Sequence, residues 1–358
     1  MHLVNLSIMT DYLGIAHPRL AQRLRKHSFA SIPTPVSHHE IEFASKTRCL
    51  VVKHDDQTSS IYGGNKVRKL EYIFQRAKER GAERVATFGA AGSNHALATA
   101  ILAKELGFAC TCFLAHQKPN PNIPKMLETH LHLGTELVRY GGGINQLALF
   151  RRYLQNRKTW VIPLGGSSWL GAIGFVNAGL ELSAQITSGE LAAPDRIYIA
   201  NGTMGSVAGL ALGLTLANLN TQIHAVRVAD NRFAKREVLD KLMQKIVALL
   251  NAYDPTIPAQ LADSTNIVWR DEFYAGGYAI VDEATERAVK FARDNLGLAL
   301  DTTYTGKAMA ALLHDIDSSG TDTTNLFWNT YNSRPLPMSE PENPTHDGLP
   351  DQFERYFQ

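Results

Sequence analysis

The sequence has few cysteines and no cysteine pattern that would build a site. Among its 358 residues, only Cys49, Cys110 and Cys112 are cysteines, and this odd number does not suit a disulfide framework. No second Cys or His pair stands at ligand spacing, so we expect no metal site. Cys110 and Cys112 alternate within an apolar run, which predicts buried strand residues. Free thiols are typical of a reducing cytoplasm.

The chain also lacks a strong charge and a long apolar segment. A net charge of +2 gives no electrostatic basis for a nucleic-acid partner or an anionic membrane. No uninterrupted apolar run reaches about 18 residues, which argues against a membrane-spanning helix. Residues 1–11 lack the basic region and cleavage site of a secretory signal. We therefore expect a cytoplasmic protein with no membrane or nucleic-acid partner.

Short apolar segments alternate with helical ones between residues 82 and 228. Strands are predicted at 85–88, 108–114, 135–138, 160–163, 196–200 and 223–228. Helices are predicted at 94–106, 123–132 and 146–155, and two further helices end at about residue 186 and about residue 219. A further strand is predicted at Cys49–Lys53, after an irregular or short-helical lead-in over residues 1–47. The alternation predicts an α/β fold of parallel or mostly parallel sheets flanked by helices.

The stretch Gly63–Tyr72 contains a candidate nucleophile. Asn65 has the position of a helix N-cap, and apolar residues follow it at helical spacing. Lys66 then lies in the first helical turn beside Arg68 and Lys69, where the helix dipole and like charges lower the pKa of its amine. A lysine with a lowered pKa is a usable nucleophile toward an aldehyde. A charge run of this kind is also typical of a solvated helix start, and the residues alone leave both interpretations open.

This stretch resembles the cofactor segment of a known enzyme family. Residues 52–56 together with Gly63–Glu71 are similar to the segment that carries the pyridoxal-phosphate lysine in the 1-aminocyclopropane-1-carboxylate deaminase and D-cysteine desulfhydrase family. These are fold type II enzymes, similar to the tryptophan synthase β subunit. The resemblance implies that Lys66 holds pyridoxal 5′-phosphate as a Schiff base and that the protein is a homodimer.

The resemblance also implies a discontinuous domain organisation. It predicts a large cofactor-binding domain from residues 1–67 and 176–334 and a small domain from residues 68–175. Residues 335–358 are rich in Pro, Glu, Asp and Asn, and this composition predicts an irregular C-terminal tail.

A second loop, Gly89–His95, joins a predicted strand to a predicted helix. Free N–H groups at a helix start suit a carboxylate, although most such loops are plain turns capped by a residue such as Ser93 or Asn94. The loop resembles the family's QSNH loop, which implies that Ser93, Asn94 and His95 contact the substrate carboxylate and the cofactor. Ser93 is also a candidate catalytic residue. The family's glutamine is replaced here by Gly92, so one polar contact is lost.

A third loop is rich in glycine and hydroxyl groups. Such a loop before a helix wraps an anion, and a dinucleotide would be the rival ligand. The fingerprint Gly-x-Gly-x-x-Gly does not occur here, which argues against a dehydrogenase. The loop resembles the family's phosphate cup, and this implies cofactor contacts from Gly202, Thr203, Met204, Gly205 and Ser206. A separate resemblance over residues 162–175 places Ser167 near the substrate.

Two tyrosines and a threonine complete the predicted site. The stretch Asp301–Met309 resembles the family's DPVYTGKAM, which implies that Tyr304 stacks near the cofactor as base or nucleophile and that Thr305 faces the pyridine nitrogen. Tyr278 matches a second active-site tyrosine. Deaminases of the family have a glutamate at the position of Thr305, whereas desulfhydrase-like members have threonine. A carboxylate keeps the ring nitrogen protonated, but a hydroxyl leaves a weaker electron sink that suits elimination of a good leaving group.

The sequence thus predicts a pyridoxal-phosphate dependent β-elimination of a small amino acid to a 2-oxo acid and ammonia, with sulfide if the substrate is cysteine. A 1-aminocyclopropane-1-carboxylate deaminase is one alternative. A pyridoxal-phosphate binding protein without elimination activity is another, because the family's HTGG turn is replaced by Asn329–Arg334.

Overall fold

Two β-sheets organise the chain. The computed structural model describes residues 11–43, 46–141, 158–318, 323–337 and 348–358. The described strands are β1 Val36–Phe43, β2 Lys46–Lys53, β3 Arg84–Ala90, β4 Ala109–Ala115, β5 Glu136–Arg139, β6 Thr159–Ile162, β7 Arg196–Asn201, β8 Gln222–Arg227, β9 Ile267–Arg270 and β10 Asn325–Trp328. The predicted helix at 146–155 lies outside the described residues.

Helices connect most of these strands. The described α-helices are α1 Tyr12–Ala16, α2 Pro18–Ala21, α3 Asn65–Glu79, α4 Asn94–Glu105, α5 Asn122–His132, α6 Trp169–Thr187, α7 Gly205–Leu216, α8 Arg236–Tyr253, α9 Glu283–Leu296 and α10 Thr305–Ser318. Short 3₁₀ helices occur at Asp55–Gln57, Leu164–Gly166, Leu261–Ser264 and Asp351–Tyr356. In the described part of the chain, every helix is too short or too polar to cross a bilayer.

The chain divides into two compact units. Unit 1 contains residues 1–72 and 167–333, and unit 2 contains residues 73–166 and 334–358. The predicted domains, 1–67 with 176–334 and 68–175, have other boundaries and stay a prediction. In the segment that the sequence predicts to be an irregular tail, residues Asp351–Tyr356 form a 3₁₀ helix.

Unit 1 is built on a six-stranded sheet with the order β1-β2-β10-β7-β8-β9. All neighbours are parallel except β1 and β2, which are antiparallel. This confirms the predicted α/β class with mostly parallel sheets. The expected irregular lead-in over residues 1–47 is wrong for β1. Its sequence, with two histidines and two glutamates, suits an edge strand, where polar side chains face solvent and one neighbour satisfies the backbone.

Helices cover both faces of this sheet. On one face α9 and α10 pack on strand residues that include Val52, Tyr198 and Phe327. On the other, α6 and α7 approach so closely that a Cβ on Gly213 would lie 2.4 Å from the carbonyl oxygen of Val176. This close approach fixes α7 against α6.

Unit 2 has a four-stranded parallel sheet with the order β5-β4-β3-β6. Helix α4 follows β3 and is buried along most of its length. Cys110 and Cys112 lie in β4 and are buried, as the alternation predicts. The loop between β3 and α4 stands at the carboxyl end of the sheet, where open parallel sheets bind ligands.

Candidate active site

Lys66 stands in the first turn of α3. Gly64 precedes the helix with a φ of 93°, a backbone conformation that favours glycine. The amine of Lys66 donates a hydrogen bond to Oδ1 of Asn65 at 2.8 Å. Although the side chain is partly accessible, its amine lies deep among protein atoms, and burial lowers its pKa to about 8 despite the opposing effect of Asp301. The geometry makes Lys66 a nucleophilic amine near neutral pH.

The neighbouring cations are not a solvated helix start. Arg68 and Lys69 are only 1% and 2% exposed. The Arg68 guanidinium donates to the carboxylates of Asp55 and Glu181, at 2.7 Å to each. The pKa of Lys66 is lowered, as expected from the sequence. The main cause is burial rather than the helix dipole and the adjacent charges.

The loop after β7 forms a cradle of donors at the start of α7. Met204 has a left-handed φ of 66°, which turns the chain so that the N–H of Gly205 points to Ser167 Oγ at 3.2 Å. Ser167 Oγ lies 2.7 Å from the hydroxyl of Thr203, and Ser206 Oγ accepts a hydrogen bond of 3.0 Å from Asn65. The structure thus brings the predicted loop residues together with Ser167 and the Lys66 helix.

Lys69 also faces this cradle, which the sequence did not predict. Its ammonium lies 3.1 Å from Ser167 Oγ. A Cβ on Gly205 would lie 2.6 Å from Ser167 Oγ and 3.0 Å from Lys69 Nζ, so glycine is required for this approach. Burial lowers the pKa of Lys69, and so does the nearby Lys66. Lys69 stands three residues after Lys66 in the helix and so lies on the same face. This spacing was a sign in the sequence that the two lysines share a site.

Tyr278 and Tyr304 are joined by a hydrogen bond of 2.5 Å between their hydroxyl groups. Burial raises the pKa of both phenols, and for Tyr304 the neighbouring Tyr278 adds to the increase. Both side chains therefore hold their protons at neutral pH and can donate them.

Thr305 begins α10, and its hydroxyl is bonded to Asp301 Oδ1 at 2.6 Å. Sequence reasoning did not single out Asp301 as a functional residue. Its carboxylate also accepts from the backbone N–H groups of Thr303, Tyr304 and Thr305, at 3.2, 3.1 and 2.9 Å. Burial raises its pKa, partly offset by these hydrogen bonds. An aspartate just before a helix start is a capping signal, and it was readable in the sequence.

In unit 2, the loop before α4 is a capped turn. Ser93 is the N-cap, and its Oγ accepts from the N–H of Ala96 at 3.2 Å. Asn94 is half-buried in the first helical position, whereas His95 is buried with its Nε2 2.9 Å from Thr87 Oγ1. The structure therefore places a capping hydroxyl and one accessible amide at this loop, with the imidazole turned into the core of unit 2.

The turn that replaces the family's HTGG lies on the Lys66 segment. The amide oxygen of Asn332 accepts from the N–H of Gly63 at 2.7 Å, and the carbonyl of Thr330 accepts from the N–H of Asn65 at 3.2 Å. Ser333 donates to the carbonyl of Asp56 through both its N–H and its hydroxyl. This turn thus fastens the start of α3.

Comparison with known proteins shows which family the chain belongs to. The family model described as "Pyridoxal-phosphate dependent enzyme" matches residues 28–328. The chain belongs to this family. It is 34% identical over 294 residues to D-cysteine desulfhydrase of Klebsiella pneumoniae subsp. pneumoniae, covering 79% of this chain and 86% of that protein. It is 32% identical to the Salmonella typhimurium D-cysteine desulfhydrase, over 82% and 89% of the two chains.

Solved structures show the same fold. A homologue of 1-aminocyclopropane-1-carboxylate deaminase superposes with a TM-score of 0.70 and 25% identity, over 88% of this chain and 95% of that one. A fungal L-serine ammonia-lyase from Rhizomucor miehei gives a TM-score of 0.57 at 18% identity, over 84% and 93% of the two chains, and shows likeness of fold alone. The fold class predicted from the sequence is confirmed, and the cofactor of the protein is pyridoxal phosphate.

The residues of unit 1 fit this cofactor. The cradle at α7 offers N–H groups, three hydroxyls and the Lys69 ammonium, a donor set that suits a phosphate. Asn201, at the end of β7, is 1% exposed, and neither atom of its amide has a hydrogen-bond partner among the described residues. An orphaned buried amide next to an anion cradle is expected where a polar group binds.

Proposed function

We propose that this protein is a pyridoxal-phosphate dependent lyase that acts as a D-cysteine desulfhydrase. D-cysteine and water would give pyruvate, ammonia and hydrogen sulfide, with cleavage of the Cα–H and Cβ–S bonds. The observation that carries the proposal is the similarity to D-cysteine desulfhydrases over most of both chains. Thr305, a neutral group where the family's deaminases have a glutamate, favours the same choice.

Lys66 would hold the cofactor through its amine, and the cradle from Gly202 to Ser206 would bind the phosphate with Lys69. When bound, pyridoxal phosphate supplies an aldehyde for amines and a ring that accepts the electron pair of the broken Cα–H bond. The hydroxyl of Thr305 would face the ring nitrogen. A neutral hydroxyl supplies no negative charge that would hold a proton on that nitrogen, so the nitrogen stays largely unprotonated. The hydroxyl hydrogen, which Asp301 accepts in this structure, would then turn to the nitrogen.

The pKa shifts of Lys66 and Tyr304 support different proposed roles for the two residues. A lysine amine with a pKa of about 8 is partly free base at neutral pH, so Lys66 is suited to take the Cα proton. The raised pKa of Tyr304 keeps its phenol protonated, so it is suited to donate a proton to the departing sulfur. Tyr278 would orient Tyr304 through the bond between their hydroxyl groups.

Ser93, Asn94 and His95 would serve the substrate. The N–H groups at the start of α4 and the Asn94 amide suit the carboxylate of an amino acid, with Ser93 at the turn. His95 would act by fixing that turn, because its ring is bonded to Thr87. Ser167, at the phosphate cradle, would lie on the substrate side.

The test is product release from the purified protein loaded with cofactor. D-cysteine, L-cysteine and 1-aminocyclopropane-1-carboxylate are supplied in turn, with Lys66→Ala as the matched control. Sulfide and pyruvate in equal amounts from D-cysteine, absent in the control, are expected. Formation of 2-oxobutyrate from 1-aminocyclopropane-1-carboxylate without sulfide would favour the deaminase instead. A cofactor absorbance band without turnover of any of the three would indicate a binding protein.

The protein is also proposed to be a cytoplasmic homodimer. The free cysteines suit a reducing compartment, and the resemblance to the family suggests the dimer. Light scattering after size-exclusion chromatography measures the oligomeric state, and a mass of one chain would overturn that part of the proposal.

A further inference from the structure

The C-terminal 3₁₀ helix, Asp351–Tyr356, is anchored within unit 2. It lies beyond residues 28–328, which the family model matches. Phe353 and Tyr356 are buried, and both rings contact the imidazole of His116, with centroid distances of 5.9 and 5.8 Å. Because two of its aromatic side chains are buried, this helix is firmly anchored, and its contacts can stabilise another part of the unit.

The hydroxyl of Tyr356 forms hydrogen bonds with both backbone groups of one residue, Gln117. It accepts from the N–H of Gln117 at 2.9 Å and donates to the carbonyl of the same residue at 3.2 Å. Nδ1 of His116 lies 3.2 Å from the same hydroxyl. Gln117 follows β4 in a connection that has no secondary structure of its own up to α5. Tyr356 therefore supplies the hydrogen bonds that a strand neighbour would supply elsewhere.

The side chain of Gln117 continues this chain of contacts to the turn before α4. Its Oε1 accepts from the N–H of Gly92 at 3.1 Å. A Cβ on Gly92 would lie 3.1 Å from Nε2 of Gln117 and 3.1 Å from Cγ1 of Ile123. The carboxamide thus fills the space that the missing side chain of Gly92 leaves, directly before the capping Ser93.

We propose that Gln117 and Tyr356 are positioning residues for the turn that contains Ser93 and Asn94, and that the C-terminal helix thereby helps to set the affinity for the substrate. The inference rests on the proposed function, which assigns this turn to the substrate carboxylate. Both residues belong to unit 2, whereas the groups that would hold the cofactor in this assignment belong to unit 1. Loss of either should weaken substrate binding and leave cofactor binding and the chemical step intact.

Tyr356→Phe is the sharpest test, because it removes only the hydroxyl and keeps the buried ring. Gln117→Ala removes the next link, and Gly92→Ala disturbs the same contact from the other side with the tail intact. In each variant we expect the KM for D-cysteine to rise about five- to tenfold, the effect of one or two lost hydrogen bonds. The value of kcat should stay within about twofold, and the visible cofactor band should be unchanged. Gln352→Ala, an exposed position of the same helix, is the matched control.

Hydrogen–deuterium exchange of the cofactor-loaded protein gives a second readout that does not depend on turnover. Faster exchange in the peptide around Gly92 is expected in Tyr356→Phe and Gln117→Ala, and not in Gln352→Ala. If kcat and the cofactor band fall together with the affinity, or if KM and exchange both stay at wild-type values, the inference is wrong. If the wild type releases no sulfide yet the exchange changes as expected, the proposed function fails while the positioning of the turn stands.

Discussion

Two lysines in unit 1 lie deep in the protein and have opposite surroundings. Lys53, in β2, is fully buried and donates to Glu181 at 2.6 Å, to Gln185 at 2.5 Å and to the carbonyl of Thr34 at 2.7 Å. The amine of Lys66 has one hydrogen bond in the described structure, to the neutral amide of Asn65. Burial lowers the pKa of both, but for Lys53 the carboxylate of Glu181 opposes the decrease most strongly.

The difference separates a structural ammonium from a reactive amine. Glu181 also binds Arg68, which in turn binds Asp55, so two cations and two carboxylates balance in one buried cluster. Those cations hold the carboxylate of Glu181 at a pKa of about 2. Arg68 stands two residues after Lys66, so the cluster fixes the helix turn that presents the reactive amine. Lys53 belongs to the structural cluster, whereas Lys66 has no counter-ion in hydrogen-bonding contact among the described residues.

Replacing each lysine in turn should have the largest effects, and they should differ in kind. Lys66→Ala should lower sulfide release by at least about 10³-fold, because in the proposed function Lys66 both holds the cofactor and moves the proton. Its stability should be close to that of the wild type. Lys53→Met should keep the cofactor band and lower the stability instead. Sulfide assays, absorbance spectra and urea unfolding of both variants measure this; loss of the band in Lys53→Met alone would reverse the assignment.

Removing the shared carboxylate should test the frame. Glu181→Gln leaves two buried cations with half of their counter-charge, and we expect the free energy of unfolding to fall by about 3–5 kcal/mol. Urea denaturation followed by far-UV circular dichroism measures it. Glu283→Gln removes an exposed pair with Arg287 and should cause no measurable change. Equal effects of the two substitutions would show that the cluster does not stabilise the protein.

Lys69 is a further buried lysine, and it lies beside the proposed phosphate cradle. Lys69→Met keeps the length of the side chain but removes the ammonium beside the phosphate cradle. The Kd for pyridoxal phosphate should rise about tenfold to hundredfold, as expected for the loss of one charge-assisted hydrogen bond. Titration of the cofactor-free protein, followed by the visible band, gives the constant. Lys78→Met, exposed on the same helix, is the control, and an unchanged Kd in Lys69→Met would remove Lys69 from the phosphate site.

A pH dependence tests the lowered pKa of Lys66 without changing any side chain. Only the unprotonated amine of Lys66 reacts with an aldehyde, and its pKa is lowered from 10.5 to about 8. The rate of cofactor loading should therefore rise about tenfold per pH unit below pH 8 and level off above it. Stopped-flow absorbance on cofactor-free protein follows this. A rate that keeps rising toward pH 10 would mean an ordinary lysine.

Much of the frame was predictable because its apolar strands stand between clear turn and cap signals. The strand predicted at 108–114 is β4, Ala109–Ala115, and the helix predicted at 94–106 is α4, Asn94–Glu105. The edge strand β1 was missed, since its alternation of polar and apolar side chains is weak and its pairing with β2 arises only in the sheet.

The residues of the candidate site also form two groups, those in local sequence motifs and those that only the fold brings together. Lys66, Ser167 and Thr305 lie in contiguous motifs that a reader of the sequence can find. The sequence shows Lys69 on the helix face of Lys66, but its contact with Ser167, 98 residues away in the chain, is made only by the fold. The link from Tyr356 to Gln117 spans 239 residues and has no local signal at all.

The central claim is that Lys66, rather than another buried lysine, holds the cofactor. Borohydride reduction of the loaded protein fixes the cofactor to its lysine, and digestion followed by mass spectrometry then locates the modified residue. The account predicts modification at Lys66 and none at Lys53 or Lys69. Modification at either of those two lysines, or none on any peptide after reduction, would contradict it.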